Sequence, residues 1–230
     1  MTRRTWIGLA STALGLVVGL ASTALGLVVV LAYLNFATNV VSLPETLALM
    51  LAFAIGPVAI FGVLEIYREL APGSPGSMLR VGTVFLVIAF ALLNLMLVVQ
   101  QSIFIPYLET MRGTTDEALK DSMRLVFQGV NQVQLGIDVS FDIFYSLGLV
   151  LVSLVLIRTT RFGMVLGIYG AVVATGLLIL NMATFPTPPA EAGLFDLGPY
   201  TGLWWLVLIL GGITGRRRGK RHQAQPDPAA

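Results

Sequence analysis

The chain contains no cysteine, which excludes disulfides, thiolate metal sites and dithiol redox chemistry. Its only histidine, His222, lies in a polar segment near the carboxy terminus, so no apolar run supplies an imidazole for haem, zinc or a catalytic dyad. Lysine occurs only at Lys120 and Lys220, both outside the apolar runs, which leaves no candidate for a Schiff base inside a helix bundle. We therefore assign no catalytic residue, no metal site and no cofactor.

Charge is also scarce, since 11% of the 230 residues are charged and 56% are hydrophobic. An average soluble domain is about one quarter charged, so this chain has too little polar surface to enclose its apolar residues in water. Uncharged runs of the length that crosses a bilayer, about 20 residues, recur along it. The composition predicts an all-α, polytopic transmembrane helix bundle over residues 1–215.

Six spans are predicted, at about residues 6–34, 47–67, 81–99, 138–157, 163–182 and 200–213. The second contains Gly56 and Pro57 near its middle, where we expect a kink that serves as a hinge. The external segment 100–137 is expected to be partly helical. Thr114 and Glu117 have the spacing of a capping box, and from there the helical pattern runs without a breaker into the fourth span.

The basic residues predict the orientation, because short loops that cross the membrane avoid Lys and Arg. The segments outside the spans lie alternately on the two sides of the membrane and so form two sets. The set that includes the amino terminus holds eleven basic residues, and the other set holds three. An even number of spans with both termini in the cytoplasm satisfies this bias. The tail, residues 216–230, is expected to be disordered and to bind anionic lipid head groups rather than nucleic acid, through Arg216, Arg217, Arg218, Lys220 and Arg221.

The first span carries a direct repeat, because Leu9–Val18 recurs as Leu20–Val29 with a period of eleven residues. This period places small residues on one helix face, and we assign helix packing to Gly15, Gly19, Ser22 and Gly26. The face can meet another span of the same chain or a second copy, so a homo-oligomer is one of two open alternatives.

A polar stripe marks the outer half of the fourth helix. At 100° per residue its members fall within one arc, whereas the apolar residues lie mostly elsewhere. The stripe comprises Arg124, Gln128, Asn131, Gln134, Asp138, Asp142 and Tyr145; the apolar set comprises Leu119, Met123, Val126, Val130, Val133 and Ile137. We predict a ligand site at Asn131, Gln134, Asp138, Asp142 and Tyr145, with Asn94 of the third span.

Two carboxylates four residues apart on a helix can share a proton or hold a cation. The DxxxD spacing of Asp138 and Asp142 also occurs in membrane enzymes that bind a metal-diphosphate, but the further aspartate and arginine motifs of those enzymes are missing here. A purely structural interpretation, a water-facing helix end packed against the outer loops, remains open beside these.

Three stretches of the carboxy-terminal half resemble a family of bacterial membrane proteins that is catalogued only as a domain of unknown function. They are Asp142–Gly148, Arg161–Gly170 and Gly202–Trp205 before a basic end. The chain departs from the expected pattern at Gly163, where a proline would open the fifth span. The resemblance implies a multi-helix bundle in a bacterial inner membrane, and it implies no activity.

These observations favour a non-enzymatic bundle that binds a small or lipid-like ligand, or a membrane partner, through a polar pocket that opens outward. A transporter that uses Pro57 as a hinge is the first alternative, and it requires a pocket that continues past Asn94. An intramembrane enzyme that uses Asp138 and Asp142 is the second, and it requires a metal or a third ionisable group beside them.

The topology can be tested with single cysteines, because the natural chain has none. We expect a membrane-impermeant maleimide added to whole cells to label Thr187→Cys but neither Ser74→Cys nor Gln223→Cys, since only residue 187 lies in a predicted outer loop. Permeabilised cells, in which all three sites should react, provide the control. Labelling of residue 74 or 223 in intact cells would contradict the six-span topology.

Overall fold

The computed structural model describes residues 45–71, 76–159, 161–187, 189 and 192–208. The predicted first span with Gly15, Gly19, Ser22 and Gly26, and the basic tail, lie outside the described residues. The described part of the chain is helical. Its helices, which we label in chain order, are α1 (Glu45–Leu70), α2 (Ser77–Val99), α3 (Ile105–Gly113), α4 (Glu117–Leu156), α5 (Arg161–Thr184) and α6 (198–208).

Three of the described helices are long and apolar enough to cross a membrane: α2, α4 and the Gly163–Thr184 part of α5. They coincide with the third, fourth and fifth predicted spans. The all-helical class is therefore confirmed, and the apolar helices indicate association with a membrane. Helices also occupy the positions of the second and sixth predicted spans, at α1 and α6, whereas the total of six and the orientation stay predictions.

The bundle is held together by close approach of α2 and α4. A methyl group added at Gly82 of α2 would lie 2.9 Å from the Cβ of Leu151 and 3.2 Å from the carbonyl oxygen of Gly148. One added at Gly148 would lie 3.0 Å from the carbonyl oxygen of Gly82. Each glycine thus contacts the backbone of the other helix, which is how small residues let apolar helices pack in lipid.

Aromatic side chains tie α6 to the rest of the bundle. The indole of Trp204 is fully buried and donates a hydrogen bond to the carbonyl oxygen of Leu166 in α5, at 3.0 Å. The ring of Trp205 packs edge-on against Phe90 of α2, with the ring centroids 5.7 Å apart. Two adjacent tryptophans therefore contact two different helices, and this anchors a helix of only eleven described residues.

Helix α4 runs for 40 residues without interruption, as the sequence predicts. Its start differs from the prediction, because the capping residue is Asp116 and not Thr114. The carboxylate of Asp116 accepts hydrogen bonds from the backbone N–H groups of Ala118 (3.0 Å) and Leu119 (3.2 Å). Asp116 directly precedes the first helical residue, so its short side chain reaches the free N–H groups of the first turn, whereas Thr114 lies two residues earlier and accepts from the backbone N–H of Asp116.

The external segment is more helical than expected, since only residues 114–116 interrupt its helices. A π-helical turn, Gln100–Phe104, joins α2 to α3. This wider turn ends two residues before Pro106, which has no N–H to donate and whose ring crowds the preceding turn of a regular α-helix. We call residues 100–137 the helical hairpin: it rises through α3, turns at residues 114–116 and returns along the first half of α4.

The helical hairpin has no core of its own. The last buried residue before it is Leu97 and the next along the chain is Tyr145, and no described side chain between them is buried. In α4 all the buried residues lie between Tyr145 and Leu156. The compact bundle therefore ends where the helical hairpin begins, and we call this end of the bundle the hairpin end.

The contact between Gly82 and Gly148 makes a prediction about stability. Gly82→Leu and Gly148→Leu should each lower the apparent melting temperature in detergent by about 3–10 °C, because overpacking of a tight contact costs roughly 1–3 kcal/mol. Gly62→Leu is the matched control, since a methyl group at Gly62 has no neighbour within 4 Å. Equal melting temperatures for all three variants would show that α2 and α4 do not approach so closely.

Candidate functional site

Two members of the predicted polar stripe, Asp138 and Asp142, line one cleft at the hairpin end. They lie one turn apart on α4, and Leu135 and Val139 complete that wall. The opposite wall consists of the last turns of α5 and the loop that follows it, and its lining residues are Asn181, Phe185, Pro186 and Thr187. The helical period of α4 places the two carboxylates on one face, and α5 closes that face into a cleft.

The cleft is small, with an internal volume of about 20 Å³. A cavity needs roughly 10–15 Å³ of such volume to hold one water molecule, so this one accommodates a water or a single ion. Its polar side chains are two carboxylates, the carboxamide of Asn181 and the hydroxyl of Thr187. These are oxygen donors of the kind that hard cations such as Na⁺, Mg²⁺ and Ca²⁺ prefer.

Three acidic side chains act at or near the cleft. The negative charges of Asp138 and Asp196 both act on Asp142. Asp196 lies in the loop before α6 and accepts a hydrogen bond from the backbone N–H of Gly198, at 2.8 Å. Neighbouring like charges repel one another unless a proton, water or a cation intervenes. Arg124 does not supply the neutralising charge, because it lies far along the helical hairpin and contacts Asp121, at 3.4 Å.

The next members of the stripe, Asn131 and Gln134, lie further along α4, on the helical hairpin. Both are half-buried, and the side-chain oxygen of Gln134 is buried with no hydrogen-bond partner. They do not line the cleft itself. They extend its polar wall along the helix toward the open end of the hairpin.

Tyr145 lies outside the cleft, in the aromatic cluster of the bundle. Its hydroxyl accepts a hydrogen bond from the indole N–H of Trp205, at 2.9 Å. Its ring stacks on Phe141 with centroids 5.1 Å apart and meets Phe90 edge-on at 5.9 Å. These contacts place Tyr145 in the aromatic cluster of the bundle, and its role toward a ligand stays a prediction.

Asn94 also lies apart from the cleft, at the contact between α1 and α2. A methyl group at Gly56 would lie 2.9 Å from the Cγ of Asn94 and 2.8 Å from the carbonyl oxygen of Phe90. The side-chain oxygen of Asn94 is buried and accepts no hydrogen bond. Gly56 therefore provides the space for Asn94, and the adjacent Pro57 lies inside a helix that continues through it.

Two polar lining residues, Asn181 and Thr187, were not identified from the sequence. Asn181 is an isolated carboxamide near the end of the fifth apolar run, and Thr187 lies between two prolines. The predicted topology places Asn181 and Thr187 at the same level of the membrane as Asp138, and this was the indication in the sequence that they could line the same site. Periodicity along α4 alone does not reveal them, because they belong to α5 and to the loop that follows it.

Comparison with protein-family models, with curated proteins and with solved structures finds no match to this chain. The resemblance noted in the carboxy-terminal half therefore stays a prediction.

Proposed function

We propose that this chain is a non-enzymatic, six-span protein of the bacterial inner membrane, with both termini in the cytoplasm and a small cation bound in its outward-facing cleft. The observation that carries the proposal is the convergence of Asp138 and Asp142 with Asn181 and Thr187 around a volume of about 20 Å³. Three apolar helices of membrane-spanning length support the membrane part. The asymmetry of the basic residues supports the orientation.

The size of the cleft favours a cation over a lipid-like ligand. A lipid head group is many times larger than one water molecule, whereas a dehydrated or partly hydrated ion fits. Two carboxylates supply the charge, and neutral oxygens with water can complete the coordination shell. A lipid or a membrane partner would instead have to contact the polar wall above the cleft, at Asn131 and Gln134.

The two alternatives have less support. A transporter needs a pocket that continues toward Asn94, but the described residues that line the cleft belong to α4, the end of α5 and the following loop. A metal-dependent enzyme needs a third ligand beside Asp138 and Asp142. Asp196 acts on Asp142 through its charge, but the described residues contain no group of three or more acidic, histidine or cysteine side chains placed to hold a metal. We therefore favour binding without chemistry.

Asp138→Asn and Asp142→Asn test the cation site, because each amide keeps the shape of the carboxylate and removes its charge. In detergent, Na⁺, Mg²⁺ or Ca²⁺ should raise the apparent melting temperature of the natural protein. Each variant should bind the effective ion roughly tenfold more weakly or worse, since it loses one of two charged ligands. Asp121→Asn, an exposed carboxylate on the same helix, should behave like the natural protein.

A lipid-extract titration run in parallel separates the lipid alternative from the cation. The proposal fails if no cation stabilises the natural protein, or if both Asn variants respond to the ion as the natural protein does. If lipid stabilises the natural protein and the two Asn substitutions abolish this stabilisation, the ligand of the site is a lipid head group.

A further inference from the structure

The first half of α4 carries a heptad pattern that the cleft does not use. Large and small residues alternate at steps of three and four along one line of the helix: Leu119, Ser122, Val126, Gly129, Val133 and Gly136. We call these six residues the heptad seam. The charged residues of this half of α4, among them Lys120, Asp121 and Arg124, lie off the seam. This is the pattern of a helix that packs lengthwise against another helix.

No described part of the chain covers the heptad seam. All six of its residues are exposed, with 48% of Val126 and 63% of Val133 accessible. Methyl groups added at Gly129 or Gly136 would have no neighbour within 4 Å. The polar residues Asn131 and Gln134 on another face are half-buried. Apolar residues such as Met123, Phe127 and Val130 are half-buried on that same side, so the seam is a second apolar line that the described chain leaves exposed.

Lipid does not cover the whole of this seam. Because α4 is continuous, a segment 138–156 that crosses the bilayer directs residues 119–136 away from it. At 1.5 Å per residue the seam then extends about 26 Å beyond the apolar layer. A helix held upright in this way does not lie flat on the membrane, so its outer part is open to contact with a protein surface.

We propose that the occupant is the same seam of a second copy of this chain, with the two α4 helices side by side and parallel. Two copies inserted in the same orientation are related by a two-fold axis along the membrane normal, which makes such a pair parallel. Leu119, Val126 and Val133 then each meet the same residue of the second copy. Ser122, Gly129 and Gly136 let the two backbones approach between these layers.

Charge and symmetry are compatible with this pairing. In a two-fold arrangement every residue on the axis faces itself, so a charged residue on the seam would repel its counterpart. The seam contains none. Its charged neighbours lie on other faces, where Lys120 pairs with Glu117 at 2.8 Å and Arg124 with Asp121 at 3.4 Å within the same chain.

Area determines how far the contact must extend. A helix is about 10 Å wide, so the seam between residues 119 and 136 contributes only about 260 Å² per copy, below the roughly 800 Å² of a standard interface. The seven-residue step continues through Ser140 to Leu147 and Leu154, which are each 38% exposed. Over the whole of α4 the pair buries roughly 1,200 Å² in total, the lower end for a stable complex. The contact therefore continues through the bilayer.

The inference rests on the proposed membrane crossing of α4 but not on the cation cleft. Single cysteines at Val126, Val133 and Leu147 in native membranes test it, because equivalent seam residues of a parallel pair approach within the roughly 4.4–6.8 Å between Cα atoms that a disulfide requires. Gln128→Cys is the matched control: it is exposed like Val126 but lies off the seam. Retention of the protein in membranes after alkaline carbonate extraction checks the crossing separately.

We expect mild oxidation to convert each of the three seam variants to a covalent dimer, with at least roughly tenfold more dimer than Gln128→Cys. Adding Val126→Lys to Val133→Cys should abolish that dimer, whereas Gln128→Lys should not. Equal cross-linking at residues 126 and 128 would mean random collision and would overturn the pairing. Absence of dimer at the three seam sites in carbonate-resistant protein would overturn it as well. The partner of the seam would then be the predicted first span, residues 6–34, or another protein.

Discussion

The continuity of α4 is the constraint on which the rest of the structure depends. Its 40 residues are about 60 Å long, twice the apolar thickness of a bilayer. One half therefore packs in the bundle, where α2 and α5 flank it, and the other half forms one arm of the helical hairpin. A single rigid element thus couples the membrane part, the cleft and the exposed seam, so that a change in its tilt would move all three together.

The bundle supplies the rigidity that this arrangement needs. Gly82 and Gly148 bring α2 and α4 into backbone contact, while Trp204 and Trp205 attach α6 to α5, α2 and α4. Both devices act below the cleft. Packing in the bundle then fixes the positions of Asp138 and Asp142, which line the cleft together.

Much of the fold could be predicted from the sequence, because apolar runs and the absence of a breaker are local properties. The spans at 81–99 and 163–182 coincide with α2 and α5, and the unbroken helix from Glu117 into the fourth span is present. The polar stripe is also a local property, and it correctly groups Asp138 with Asp142. The cap was misassigned to Thr114 because the spacing of a capping box does not show which residue begins the helix.

Tertiary contacts account for what could not be predicted. Tyr145 belongs to the stripe by angle, but its hydroxyl meets Trp205, sixty residues away in the chain. Asn181 and Thr187 reach the cleft only because α5 ends beside Asp138. Periodicity likewise shows that Leu119, Val126 and Val133 share a face, yet it does not show that this face points outward. Which face of a helix meets the bundle is decided by its neighbours.

The central claim, that one unbroken helix both crosses the membrane and extends beyond it, can be tested by a distance. Spin labels at Asp121→Cys and Leu154→Cys are separated by 33 residues, which is about 50 Å in a continuous helix. Pulsed electron paramagnetic resonance in liposomes, with labelled protein diluted in unlabelled protein to suppress contacts between copies, measures this separation. The account predicts a narrow distribution near about 50 Å. A broad distribution, or one centred below about 40 Å, would show a bend in α4 and would contradict the account.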